Sequence, residues 1–263
     1  MRAFAKIPTC VWEAISIIAT PAVLVACALL RIEQTALLSF AVVMLSLGVF
    51  FAGYEASAPR LRDIMPTVVL AALAAAGRIL FAPIPDFKPV SAIAIIAGVA
   101  FGRKSGFMVG SLAALASNFF FGQGAWTPWQ MYAWGLVGYG AGLLAELRIP
   151  KRPQANTNKE KDNDKAKETE KNVQATRAID AHPIVIYLYG FLSCLGYGFI
   201  LNAWSILSFY HAQASGLAGV LAVYAAALPF DVFHGVATVI FLLALFRPWT
   251  RKLRRTKAKF GLR

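Results

Sequence analysis

Aromatic and amide side chains crowd one short segment of the chain, residues 118–131, which reads NFFFGQGAWTPWQM. The binding candidates in this segment and just after it are Asn118, Gln123, Trp126, Trp129, Gln130 and Trp134. Aromatic walls with a few converging amides hold a flat or bulky organic molecule and fix its orientation. An aromatic belt at a membrane surface is the alternative. A belt needs neither the three amides nor Gly122 and Gly124, so the pattern favours a binding pocket.

One arginine lies inside an apolar stretch, within the run AALAAAGRILF of residues 71–81. A charge within a membrane span is costly and usually faces the bundle interior or a cavity. Arg78 lies about one helical turn from the end of its stretch, so snorkelling to the lipid headgroups is an equal alternative. We include it among the candidate substrate-binding residues. Asp231 and His234, which follow Pro229, predict the first turn of a helix, with a gating or ligand contact as the second interpretation.

The sequence contains no catalytic constellation, metal site or cofactor motif. Residues 98–105, GVAFGRKS, resemble a phosphate-binding loop, but the two glycines are one residue too close and Arg103 follows the second one. The three histidines and three cysteines are scattered, without the spacing of metal ligands. Asp231 with His234 is the only candidate catalytic pair, and no nucleophile accompanies it. We therefore expect no enzyme activity, and any ATP hydrolysis must come from partner subunits.

Eight apolar stretches with almost no internal charge fill most of the chain. They run over residues 11–30, 35–51, 63–81, 89–101, 106–121, 131–147, 183–207 and 229–246. A transmembrane helix needs about 20 largely apolar residues, and fewer where it packs inside a bundle. Lipid offers the backbone no partner, so spans are helices or closed barrels, and these stretches lack the alternation of barrel strands. The sequence predicts an all-α polytopic membrane bundle of eight spans.

Basic residues lie on one side of this predicted bundle. The groups are Arg2 and Lys6, Arg60 and Arg62, Arg103 and Lys104, residues 148–152, and the cations of residues 247–263. With eight crossings all of them share one side, which the positive-inside rule makes cytoplasmic together with both termini. The apolar segment 216–228 is then interpreted as a lid, re-entrant or interfacial helix. The net charge of +13 serves topology and binding to anionic headgroups, and nucleic acid is not an expected partner.

Composition divides the chain into five parts. Residues 1–60 form a two-helix membrane extension, residues 61–150 the first four core spans, and residues 183–247 the last two. Residues 151–182 are polar, mix both charge signs and hold no aromatic residue. They predict a disordered cytoplasmic linker, with a short salt-bridged helix as the alternative. Residues 248–263 form a basic cytoplasmic tail.

A stripe of small residues on the third apolar stretch consists of Ala71, Ala72, Ala75 and Ala76. Small residues four apart let another helix approach closely within a membrane. The partner is either another helix of the same bundle or a separate subunit.

Five segments of the chain resemble the substrate-binding (S) components of energy-coupling factor (ECF) vitamin transporters. They are Gly77 with Arg78, residues 83–89 (PIPDFKP), 97–106 (AGVAFGRKSG), 117–131 (SNFFFGQGAWTPWQM) and 228–235 (LPFDVFHG). The resemblance covers about residues 63–246, similar in length to a six-helix S component. The two N-terminal helices and the charged linker are departures from it. Within the family, the tryptophan-rich segment most resembles the cobalamin or corrinoid group.

The resemblance implies a subunit that captures a vitamin or related micronutrient, in this group cobalamin or a corrinoid, outside a prokaryotic cell. Such a subunit is a multi-pass plasma-membrane protein. It docks onto a transmembrane coupling subunit, here through the alanine stripe, and two cytoplasmic ATPases supply the energy of this ABC-type importer. No cofactor is implied. The alternatives are an S component for another vitamin or precursor, an intramembrane enzyme, or a structural membrane protein.

Overall fold

A computed structural model describes the chain over residues 9–30, 35–147, 183–209 and 212–262. Within these ranges it forms eight helices and no strand. The helices are α1 (Thr9–Leu30), α2 (Thr35–Glu55), α3 (Leu61–Leu80), α4 (Val90–Phe101), α5 (Arg103–Phe121), α6 (Thr127–Leu147), α7 (Pro183–Phe209) and α8 (Ala212–Phe260). The predicted all-α class is confirmed. The predicted linker, residues 151–182, lies outside the described residues.

Three described helical stretches are long and apolar enough to cross a membrane: Leu61–Leu80, Pro183–Ser208 and Gly216–Phe260. Shorter apolar helices occupy Val11–Ala22, Phe40–Glu55 and Val90–Phe101. The last of these, α4, is buried from its first residue to Ala100, because its neighbours enclose it. A helix enclosed by other helices need not match the thickness of a bilayer. The eight crossings and the cytoplasmic termini stay predictions.

The last helix differs most from the sequence expectation. α8 continues from Ala212 to Phe260 with one kink at Gly216, whose φ of 56° lies in the left-handed region that glycine tolerates. Segment 216–228 is therefore continuous with the last apolar stretch and not a separate element, whereas its interpretation as a lid, re-entrant or interfacial helix stays a prediction. The 45 residues of Gly216–Phe260 measure ~68 Å at 1.5 Å per residue. This length is more than twice a hydrocarbon core of about 30 Å.

The predicted helix start at Pro229 is wrong, because α8 passes through this proline. A proline in a helix interior removes one backbone hydrogen bond and costs about 3 kcal/mol. The residues before it, LAGVLAVYAAAL (217–228), are mostly alanine and leucine, which favour the helix on the N-terminal side. Tyr224 of this part stacks on Phe199 of α7, with ring centroids 5.0 Å apart. Local propensity and packing together carry the helix across the proline.

The basic C-terminal residues 248–262 are part of the fold. Lys257 is 3% exposed, and its Nζ donates a hydrogen bond to the carbonyl oxygen of Ala100 at 3.4 Å. A cation at the C-terminus of a helix satisfies unpaired carbonyls and interacts favourably with the helix dipole. Arg60, just before α3, donates to the carbonyl of Gly261 at 2.7 Å. The end of α8 is thus tied to α4 and to the start of α3.

The centre of the bundle depends on glycine at the crossings of α4, α5 and α6. A Cβ added to Gly98 of α4 or to Gly106 of α5 would collide with the carbonyl oxygen of Gly138 on α6. One added to Gly110 would collide with the carbonyl of Trp134. Glycine at such crossings lets helix backbones approach directly. These three helices form a tight unit against which α3, α7 and α8 pack.

The N-terminal hairpin of α1 and α2 covers one side of this unit. Its α2 joins one apolar cluster with α5 and α6, whose buried members are Val43, Leu47, Phe50, Phe107, Trp129, Tyr132 and Tyr139. The rings of Phe50 and Phe107 stack with centroids 4.0 Å apart. Buried aromatic side chains contribute large apolar areas, so this cluster stabilises the hairpin on the core.

A buried carboxylate joins the hairpin to the core as well. Glu13 of α1 is 1% exposed and accepts a hydrogen bond from Tyr139 Oη at 2.8 Å. Arg103 Nε and Lys104 Nζ, at the start of α5, each lie 3.6 Å from a Glu13 oxygen. Lys104 also donates to the carbonyl of Gly53 in α2 at 2.8 Å. A buried charge is tolerated when it is paired, so these two cations fix the hairpin at this end.

We expect Glu13→Gln to lower the free energy of unfolding by about 1–3 kcal/mol, because Lys104 loses its charged partner and Arg103 keeps only Glu146, 3.3 Å from its Nη1. Thermal unfolding of the detergent-solubilised protein measures the change. Glu55→Gln is the control: Glu55 is exposed, so the substitution should change stability by less than about 0.5 kcal/mol. Equal effects of the two substitutions would show that the Glu13 carboxylate does not hold the hairpin.

Candidate functional site

Polar side chains converge at the end of the bundle opposite the α4–α5 turn. α3 ends here at Leu80, α4 begins at Val90, α5 ends at Phe121 and α6 begins at Thr127. α7 and α8 pass alongside and add side chains from their interiors. We call the central group of this end the Arg78 cluster. Its members are Arg78, Ser117, Asn118, Gln130 and Trp134.

Arg78 points into the bundle. Its Nη1 donates hydrogen bonds to Ser117 Oγ and Asn118 Oδ1 on α5, both at 2.7 Å. Its guanidinium carbon lies 4.6 Å from the ring centroid of Phe121 and 4.9 Å from that of Trp134. Asn118 and Trp134 are completely buried. Of the two alternatives left by the sequence, the structure has the inward-facing arginine and not the snorkelling one.

Asn118 is the centre of an amide network. Its Nδ2 donates to Gln130 Oε1 at 2.9 Å and to Thr127 Oγ1 at 3.0 Å. The Thr127 hydroxyl in turn donates to Gln123 Oε1 at 2.9 Å, and Gln123 Nε2 donates to the carbonyl of Leu115 at 3.1 Å. Polar groups buried in an apolar bundle are stable when each finds a partner. The network therefore ties the end of α5 to the start of α6 and orients Asn118 toward the arginine.

Trp134 connects the cluster to α4, α7 and α8. Its Nε1 donates to Ser91 Oγ at 3.2 Å, and Ser91 Oγ lies 3.1 Å from His234 Nε2. The Tyr197 ring stacks on Trp134 at 4.7 Å, and the His234 ring meets Tyr197 edge-on at 5.2 Å. Three helices thus contribute one aromatic ring each, and Ser91 of α4 joins the Trp134 and His234 rings through hydrogen bonds.

Three further charged groups lie around this stack. Lys88 Nζ is 5.7 Å from the ring centroid of Trp134 and forms an ion pair with Asp86 at 2.7 Å. Asp231 of α8 accepts a hydrogen bond from Asn202 Nδ2 of α7 at 3.3 Å. The ion pair lies in the connection between α3 and α4, whereas the Asp231 carboxylate lies between α7 and α8. Both signs of charge are therefore present at this end of the bundle.

The start of α6 separates the sequence-predicted residues into two groups. Gln130 and Trp134 are four apart and share a helix face, which is directed at the Arg78 cluster. Trp129 is directed elsewhere and is completely buried in the apolar cluster with α2. The Trp126 ring meets the Trp204 ring of α7 edge-on, with ring centroids 6.1 Å apart. Arg78, Asn118, Gln130 and Trp134 therefore come together, Gln123 lies at the exposed edge of the network, and Trp126 and Trp129 lie apart.

Sequence reasoning missed or undervalued six residues of this end. They are Lys88, Ser91, Tyr197, Asn202, Asp231 and His234. A signal existed for Asn202, which is the only amide of α7, because polar residues inside apolar helices often serve function. No local pattern places Ser91 beside Trp134, since 43 residues separate them. Such pairs become visible only after the helices are packed.

The alanine stripe of α3 divides between two faces. Ala71 and Ala75 are buried against the core, whereas Ala72 and Ala76 are exposed. The exposed face continues into a groove of 610 Å³ between α3 and the last part of α8. Its apolar lining includes Met65, Val69, Leu73, Trp249, Leu253 and Phe260, and the cations Arg62 and Lys252 also line it. This surface lies near the opposite end of α3 from Arg78.

In the part of the chain that the structure describes, no three His, Cys, Asp or Glu side chains converge so that they could hold a metal ion. The family described as "ECF transporter, substrate-specific component" has a sequence model that matches residues 62–246, well over half of the chain. The match includes every residue of the Arg78 cluster and excludes the N-terminal hairpin. No curated protein and no solved structure shows a significant match.

We expect Asn118→Leu to lower the free energy of unfolding by about 2 kcal/mol, because Arg78, Thr127 and Gln130 lose the amide that they share. Thermal unfolding in detergent measures the loss. Gln123→Leu, at the exposed edge of the same network, should change stability by less than about 0.5 kcal/mol. If both variants are as stable as the parent, Asn118 does not organise this end of the bundle.

Proposed function

Because the chain belongs to the family of ECF transporter substrate-specific components, we propose that it captures a vitamin or related micronutrient in the Arg78 cluster. Members of this family are substrate-binding subunits of transporters and not catalysts. They work with a transmembrane coupling subunit and with ATPase subunits. The protein is therefore a transport subunit, and its energy comes from those partners.

The observation that carries the proposed location is the inward-facing arginine among amides and aromatic rings. Arg78, Asn118 and Gln130 provide donors and acceptors, and Trp134 with Tyr197 provides stacked apolar walls. Ligand sites in proteins combine such walls with a few convergent polar groups. All five residues lie in the segment that the family match covers.

The proposed ligand is cobalamin or another corrinoid, with another vitamin or precursor as the alternative. The tryptophan-rich segment 118–131 supports it through its resemblance to that group. Corrinoids present a flat ring with amide groups around its rim, which suits aromatic walls bordered by Asn118, Gln123 and Gln130. In this proposal Gln123 and Trp126 lie at the entrance, and Trp129 supports the segment from behind.

The proposed topology keeps the eight crossings with both termini in the cytoplasm of a prokaryote. Arg60, Arg103, Lys104 and the cations of α8 after Phe246 lie at one end of the bundle, and Arg78 lies at the other. The positive-inside rule then directs the Arg78 cluster outward. This orientation suits capture of a nutrient from outside the plasma membrane.

The exposed face of α3 is the proposed docking surface for the coupling subunit. Ala72 and Ala76 permit a close helix approach, and the apolar groove beside them has space for side chains of a partner helix. Ala71 and Ala75 contribute indirectly, because their burial sets the angle at which α3 presents this face. The family's dependence on a coupling subunit supports that subunit as the occupant.

We expect Gln130→Ala and Trp134→Phe each to weaken cobalamin binding by about tenfold, because each removes a hydrogen bond or part of an aromatic wall. Equilibrium titration of the purified protein with cobalamin measures the affinity. Phe119→Ala is the control from the same segment, since Phe119 is 75% exposed. If both variants bind cobalamin as tightly as the parent, the ligand site lies elsewhere in the bundle. If the parent does not bind cobalamin, the corrinoid proposal is refuted.

We expect Ala72→Leu and Ala76→Leu to prevent copurification with the coupling and ATPase subunits while ligand binding is retained, because a larger side chain blocks close approach. Pull-down of the tagged protein from membranes measures assembly. Ala226→Leu, at an exposed position of α8, is the matched control and should assemble normally. Ala71→Leu should instead reduce stability, since its side chain enters the core. Normal assembly of the Ala72 and Ala76 variants would exclude this face as the docking surface.

A further inference from the structure

Arg78 has one hydrogen-bonding edge that no described residue of the chain uses. Nη1 donates to Ser117 and Asn118, whereas no acceptor in the described part of the chain bonds to Nε or Nη2. Nε and Nη2 form one side of the planar guanidinium group. Two parallel N–H groups in this arrangement match the two oxygens of a carboxylate or a phosphate.

The aromatic neighbours of Arg78 do not replace such an acceptor. Phe121 and Trp134 interact with the cation through their ring faces, at 4.6 Å and 4.9 Å from the guanidinium carbon. Cation–π contacts stabilise positive charge, but they leave the in-plane N–H groups without a hydrogen bond. The rings therefore hold the arginine in position while its free edge keeps its donors.

The charge of Arg78 also has no counter-ion from the described chain. Every described acidic side chain is more than 4.0 Å from its guanidinium nitrogens. Asp86 forms an ion pair with Lys88 at 2.7 Å, and Asp231 accepts a hydrogen bond from Asn202. A cation inside an apolar bundle is costly unless a charge or hydrogen bonds compensate it. Two neutral acceptors on Nη1 compensate it only in part.

The other charges restrict where an anion can bind. Lys88 adds positive potential near Trp134, although Asp86 offsets much of it. The Asp231 carboxylate between α7 and α8 repels an anionic group from that side. The edge of Arg78 is thus the position at this end of the bundle where an anionic group finds both donors and opposite charge.

We propose that the substrate carries a carboxylate or phosphate group and that the Nε and Nη2 edge of Arg78 binds it. The inference rests on the proposed function, because it assigns the charge of the molecule that the Arg78 cluster captures. In cobalamin the group is the phosphodiester of the nucleotide loop. In a smaller vitamin it is a carboxylate.

Ligand pairs that differ in the anionic group test the inference on the unaltered protein. The pairs are cobalamin with cobinamide, nicotinate with nicotinamide, pantothenate with pantothenol, and biotin with biotinamide. Thermal unfolding of the purified full-length chain detects binding, because a ligand of the folded state raises its apparent stability. We expect the anionic member of one pair to stabilise the protein. Its neutral partner should bind at least about tenfold more weakly, the loss expected for one charged hydrogen-bonded group.

Variants of Arg78 then assign the effect to this side chain. Arg78→Met should remove the preference within the stabilising pair, and Arg78→Lys, which keeps the charge without the planar fork, should retain part of it. The readout is the ratio of the two affinities, which a general loss of stability does not change. Arg255→Gln is the control, since Arg255 is an exposed cation near the far end of α8. If Arg78→Met does not fold, the affinity ratios of the ligand pairs in the parent and in Arg78→Lys still test the inference.

Equal affinity for both members of the stabilising pair, or an unchanged ratio in Arg78→Met, would overturn the inference. So would the failure of every anionic compound to stabilise the protein. Equal binding of cobalamin and cobinamide would support the corrinoid proposal while refuting the anionic group. Binding of another acid through Arg78, without binding of cobalamin, would refute the corrinoid proposal and support the anionic group.

Discussion

Direct backbone contact among α4, α5 and α6 is the constraint on which the rest of the structure depends. Gly98, Gly106 and Gly138 leave no space for a Cβ at these crossings, so the three helices have one relative position. That position aligns the other ends of α5 and α6, where Asn118 Nδ2 lies 2.9 Å from Gln130 Oε1. A shift of one helical turn, about 5.4 Å, would separate these amides. The packing at the crossings therefore determines the hydrogen bonds of the candidate site.

The two ends of this three-helix unit differ in the partners that surround a buried charge. At one end the Glu13 carboxylate meets Arg103, Lys104 and the hydroxyl of Tyr139, all from the same chain. At the other end the described residues that contact Arg78 are neutral acceptors and aromatic rings. Removing one partner of a buried ion pair costs stability, whereas a buried cation without a nearby counter-ion can gain free energy from an anionic ligand. The first arrangement is typical of a structural contact and the second of a binding site.

Local patterns predicted much of the fold, and the family match confirms the resemblance over residues 62–246. Apolar length located the helices, and Gln130 and Trp134 share a face because of their spacing. The continuous α8 was not predicted, because Pro229 suggests a helix boundary and only packing on α7 with local propensity overrides it. The Ser91–His234 contact was not predictable either, since it joins residues 143 positions apart. Pairing over such distances is decided by tertiary packing and leaves no periodic signal.

The helical period of α3 explains why its alanine stripe has two roles. Residues at i, i+4 and i+7 share a helix face, so Ala71, Ala75 and Arg78 point the same way. The inward guanidinium therefore requires Ala71 and Ala75 to face the core, where both are buried. Ala72 and Ala76 are rotated from that face and are exposed. Once the direction of Arg78 is known, the helical period alone assigns two alanines to the buried face of α3 and two to its exposed face. One helix thus carries the arginine of the candidate ligand site on its inner face and the proposed docking surface on its outer face.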